Sequence, residues 1–213
     1  MDVTAETVER LFTQPGGDYL CARWGRPVVP VVFGVTDAVL PALKGAIEAV
    51  VALAGHRMAE TDPELGANLM LFFCADWAEL GRVPDLGRLV EGLEGLLERL
   101  EAEGANQYRL FRYDADGAIR AAVVFIRLAG GLEEMPAGDL GLVQAAGAML
   151  SWGPGAFQSV PPLARVGGGT VLHPVIAGLI RAAYDPVMPV VARDPAHSQR
   201  LRARLGTPDP GTA

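Results

Sequence analysis

The chain reads as an α+β protein, a mixed β-sheet with helices packed on it. Three observations carry that expectation. Runs rich in β-branched and aromatic residues recur at 28–35, 68–75, 107–113 and 118–128. Between and after them lie segments whose apolar residues repeat at helical spacing. The order is strand, helix, strand, helix, hairpin, helix, helix, which predicts helices gathered on one face of the sheet.

Each element has a local cause. Residues 6–12 form a short apolar-striped helix, followed by a loop through Gly16-Gly17. Pro30 interrupts the run at 28–35 and lacks a ladder donor, so this strand belongs at or near a sheet edge. Thr36 or Asp37 can cap the next helix, whose stripe is Val39, Leu40, Leu43, Ile47, Val50 and Val51, ended by Gly55. The run at 68–75 is apolar on both faces and so interior. Pro84 opens one long amphipathic helix with leucines inside and Glu91, Glu94, Glu98 and Glu101 outside, closed by Gly104. Asp114 to Gly117 is a hairpin turn between the last two strands. A helix follows at 139–150, then a Gly/Pro-rich loop at 153–169. A closing helix at 174–184 stops at Asp185-Pro186. Residues 1–27 thus form an N-terminal helix and loop, 28–190 the α+β domain, and 191–213 a basic, flexible tail.

Composition narrows the function. With 213 residues, half of them hydrophobic and 20% charged, the chain suits one globular domain. A net charge of −7 argues against general nucleic-acid binding, which needs clustered cations. No apolar run is long enough for a membrane span. The first ten residues are acidic and lack an apolar core, so the expected location is the cytoplasm. Cys21 and Cys74 sit among apolar residues and read as buried free thiols.

Several phrases resemble a known family. They are 26–34 (RPVVPVVFG), 66–73 (GANLMLFF), 116–126 (DGAIRAAVVFI) and 172–189, whose helix ends in Tyr184-Asp185-Pro186. This set is similar to the proteobacterial family called domain of unknown function 2927, grouped with metzincin-like zinc peptidases. The resemblance implies a metzincin-like (zincin) arrangement across roughly residues 20–190. Aligned on Leu142, Gln144 and Gly147, it implies a relict cleft at Asp139, Gly141, Gln144, Ser151 and His173. The family's acidic pair would fall on Leu140 and Gly141, and its Asn-Asp pair on Leu150 and Ser151. None of these four is a carboxylate, and the amide of Gln144 is a poor zinc ligand. The resemblance therefore implies a catalytically silent site with no metal or cofactor.

Other chemistries are weaker in the sequence. Ser151 lacks the glycine two residues earlier that a nucleophile elbow needs, since Met149 stands there. Gly167-Gly168-Gly169 has neither the strand before it nor the Lys-Ser/Thr after it that a phosphate loop requires. Asp114 and Asp116 read as a turn, and His56 and His173 as helix-end residues. Arg193, Arg200, Arg202 and Arg204 read as a solvated terminal helix, with docking on an acidic partner or membrane surface as the alternative. Trp152 and Phe157 fall in a loop without core periodicity, where they suit a lid or an exposed binding patch.

The leading expectation is a protein-binding or regulatory module whose partner engages the 151–170 loop. The alternatives are a hydrolase with a non-standard site around Asp139, Gln144 and His173, and a structural subunit using the 153–171 stretch as interface.

Overall fold

A computed structural model describes residues 3–205. Its centre is a four-stranded mixed sheet of β2 (Pro30–Phe33), β3 (Leu69–Cys74), β4 (Gln107–Tyr113) and β5 (Ile119–Arg127). The order is β2-β3-β5-β4, with the first three strands parallel and β4 antiparallel on the outer edge. The Pro30 strand is an edge, and the run at 68–75 is interior, paired on both sides. The fold is α+β.

The helices do not gather on one face. In β3 the side chains of Leu69, Leu71 and Phe73 enter one core, while those of Met70, Phe72 and Cys74 join a second core on the opposite side. The period-two alternation of an extended chain makes that division, and because both sets are apolar, both faces need cover. The first core is covered by α2 (Leu40–Leu53), α6 (Ala137–Met149) and α8 (Pro174–Tyr184). The second is covered by α3 (Trp77–Leu80), α4 (Leu86–Leu89) and α5 (Leu93–Ala102).

Those last helices correct the expectation of one long helix from Pro84. Asp85 and Gly92 both take left-handed backbone angles (φ 60° and 70°), which an α-helix cannot continue through. Leu86 and Leu97 still reach the same core, because the break changes the path of the chain without changing the apolar stripe. The start of α2 differs too. Its first N–H groups are taken by the backbone carbonyl of Thr36, and no side chain caps it.

The Gly/Pro-rich loop carries structure of its own. A turn of helix, α7 (Ala156–Ser159), precedes a hairpin of β6 (Leu163–Val166) and β7 (Gly169–Leu172). Gly167 and Gly168 form its two-residue turn with φ of 57° and 84°, positive angles that suit the twist of a tight hairpin.

The two ends of the described chain pack together. α1 (Ala5–Leu11) lies on α9 (His197–Arg204), and β1 (Cys21–Ala22) pairs antiparallel with β8 (Val191–Ala192). Val8, Leu11 and Leu201 are fully buried in the first core. The segment expected as a basic tail is therefore, as far as residue 205, a packed strand and helix, and the remainder lies outside the described residues. Among the described residues, no helix is long and apolar enough to cross a membrane.

Candidate functional site

The residues singled out at the C-terminal end of α6 form a structural joint. A helix leaves its last four carbonyls without intrahelical donors. Here Trp152 Nε1 donates to the carbonyl of Ala146 at 2.8 Å and Trp24 Nε1 to that of Ala148 at 2.8 Å. The Tyr184 hydroxyl donates to Met149 O at 3.0 Å and accepts from the backbone N–H of Trp24 at 3.2 Å. Three aromatic side chains thus end the helix from three different parts of the chain. Ser151 extends the joint, since its Oγ accepts from Ala22 N at 2.7 Å and donates to Leu20 O at 3.1 Å.

Trp152 is accordingly a core residue, 8% exposed and stacked on Phe12 with ring centroids 4.9 Å apart. The expected exposed Trp152 patch is absent because its indole is needed inside, as donor and as packing. Phe157 is half-buried beside it. Gly141 faces α2, where a Cβ would come within 2.7 Å of Ala46 Cβ, so glycine here sets the helix–helix distance. His173 caps α8, its Nδ1 accepting from Val175 N at 3.2 Å. Asp139 lies in the first turn of α6, where its charge suits the helix dipole.

Of the relict-cleft residues, only Gln144 joins a cluster of functional groups. Its Nε2 donates to Gln107 Oε1 at 2.8 Å, and its Oε1 accepts from Arg109 Nη2 at 3.3 Å. Arg109 Nη2 also donates to Gln107 Oε1 at 3.2 Å, and its guanidinium lies 5.6 Å from the Phe157 ring centroid. Gln107, Gln144 and Phe157 are neutral, and burial pushes the Arg109 pKa down to about 10. Gly147 makes room for the guanidinium, since a Cβ there would sit 2.5 Å from it. The cue in the sequence was Gln107 and Arg109 two residues apart on one face of a strand. Their amide and guanidinium groups hold one another, and no reactive atom is presented. Among the described residues, no group of three or more His, Cys, Asp and Glu is placed to hold a metal ion.

The other face of the sheet carries an open cleft of about 870 Å³ between α3, α4 and α5. Trp77, Val83, Leu93 and Leu97 contribute its apolar lining. Asp76, Glu94, Glu98 and Glu101 line it with carboxylates. Gly81, Gly87 and Gly92 also line it, so the short helices leave space where longer side chains would fill the gap. Trp77 is fixed by its indole N–H donating to Ala105 O at 3.1 Å. Arg127 holds Glu101 at 2.6 Å and lies 5.5 Å from the Trp77 ring centroid. Asp76 caps α3 through Ala78 N. Among the described residues, Glu94 and Glu98 make no ion pair and stand exposed on α5.

A smaller hollow of about 490 Å³ lies near Arg26. Arg26 there is held by Asp62 and Glu64, and Glu64 is also held by Arg120. Burial alone would raise the Asp62 carboxyl. The N–H groups of Glu64 and Leu65, the Asn68 amide and Arg26 outweigh it and hold the pKa at about 2. This is a loop anchor.

Compared with known proteins, the chain matches no family model, no curated protein and no solved structure.

Proposed function

We propose that the protein is a non-catalytic binding module and that a protein partner engages the cleft between α3, α4 and α5. The carrying observation is the cleft itself, an apolar hollow of about 870 Å³ with carboxylates along it, within the size range of ligand sites. The resemblance to the domain of unknown function 2927 family fits this reading as ancestry, a zincin-like frame without its acidic residues. Within the 151–170 loop, Ser151 and Trp152 are committed to ending α6, so the cleft on the opposite face has the stronger support. A hydrolase around Asp139, Gln144 and His173 has less support, since Gln144 and His173 are already held in other contacts.

Gly87 supplies the test. A Cβ there meets nothing within 4 Å and its backbone is ordinary helix, so Gly87→Trp can place a bulky side chain at the cleft without backbone strain. The full-length protein and this variant, matched in circular dichroism, are each used to capture partners from a lysate of the source organism. A protein retained by the first and lost by the second is the expected result. Equal capture by both, or none by either, would overturn the reading.

A further inference from the structure

We infer that the occupant of the cleft is a basic amphipathic helix of the partner protein. The inference rests on reading the cleft as a docking site and adds what fits there. Leu93 and Leu97 are one turn apart, and Glu94, Glu98 and Glu101 follow the same winding one residue on. The two leucines turn into the second core and show only their edges at the cleft, while the carboxylates form an outer stripe about 10 Å long, seven steps of 1.5 Å from Glu94 to Glu101. A helix lying alongside meets the cleft floor and the carboxylates together when its own residues repeat at i, i+3 or i+4, and i+7, apolar ones inward and Lys or Arg beside them.

Two further observations favour a helix over a loose cation. The glycines along the lining allow the close backbone approach that brings packed helix axes within about 8–10 Å. Half-buried Val83 and the exposed edges of Trp77 and Leu97 supply a small apolar floor that a hydrophilic polycation has no means to use. Charge selects the sign. Glu94 and Glu98 have no cationic partner among the described residues, and the chain carries a net charge of −7. An acidic helix would be repelled by Glu94 and Glu98, whereas a basic one neutralises them.

Three fluorescein-labelled synthetic peptides, titrated against the full-length protein and followed by anisotropy, test this. One carries Leu at helical spacing with Lys and Arg elsewhere. The second is a scramble of the same residues without the stripe, and the third replaces every Lys and Arg by Glu. The expected result is saturable binding of the first alone, weakened about tenfold or more by Glu94→Lys with Glu98→Lys and by Gly87→Trp. Raising the salt to about 0.5 M should also weaken it, since the Debye length falls below about 5 Å. Equal binding of the scramble overturns the helix, and equal binding of the acidic peptide overturns the charge argument. If either binding is still lost with Gly87→Trp, the cleft survives as a docking site and only the assigned occupant falls. Binding of the first peptide that is indifferent to all three substitutions, or no binding, overturns the inference.

Discussion

On one side of the sheet, the C-terminal end of α6 gathers Trp24, Trp152, Tyr184 and Ser151 and uses their polar atoms to satisfy backbone groups. On the other side, the α3–α5 cleft leaves Glu94 and Glu98 without cationic partners among the described residues, above an apolar floor. The first region has the residue types that catch the eye in a sequence, and it holds them in packing. The second is built from ordinary leucines, glutamates and glycines, and it is open. The comparison teaches that a polar or aromatic residue is available to a ligand only when the backbone has no prior need of it.

The sharpest way to break the comparison is Trp152→Ala. If the α6 end is a structural joint, this variant loses about 3–5 kcal/mol in chemical denaturation, as buried tryptophans do. A near-normal midpoint would return Trp152 to the list of binding residues. Gly141→Val should cost about 1–3 kcal/mol, because its Cβ meets Ala46 and forces α2 from α6. A thermal melt reads it, and an unshifted transition would mean the two helices are loosely packed.

Acid should weaken the closed side next. His197 is buried, 2.9 Å from the Tyr19 hydroxyl, and burial with Arg200 and Arg204 holds its pKa down to about 4. Its unfolded value is about 6.5, so the unfolded chain takes up the proton first and stability falls as pH drops from about 6.5 towards 4. The expected loss is about 1–3 kcal/mol, and His197→Gln should flatten that part of the pH profile. An unchanged slope in the variant would assign the acid sensitivity elsewhere. The smallest effects belong to the cleft. Glu94→Lys, Glu98→Lys and Gly87→Trp should each leave stability within about 0.5 kcal/mol while altering peptide binding, which urea melts beside the anisotropy titration would show. A large loss of stability from any of them would make the cleft part of the packing.

Much of the sheet was legible because its strands carry unambiguous patterns. Pro30 marked an edge, and the doubly apolar run at 68–75 marked the centre. The layer arrangement was not, because apolar residues on both sides of a strand say that two faces are covered without saying which helices cover them. The break at Gly92 was hidden for a related reason. The leucine stripe runs straight through it, and only the positive φ of Asp85 and Gly92 separates α4 from α5. Trp152 was misread because a loop residue has no periodicity to declare its burial. Its role depends on carbonyls that become available only once α6 has ended. The cleft had no motif at all, since it arises from three short helices meeting around glycines.

The pairing of α1 with α9 has a consequence for how the chain is made. Val8 and Leu11 find their neighbour Leu201 about 190 residues later, and Arg202 Nε donates to the carbonyl of Val3. During synthesis, at about 5–20 residues per second, the first helix must wait tens of seconds for the last. Until then the apolar stripe of α1 lacks the cover that α9 gives it in the folded protein. Closure has to follow synthesis of α9, and loop-closure entropy makes so distant a contact slow to form.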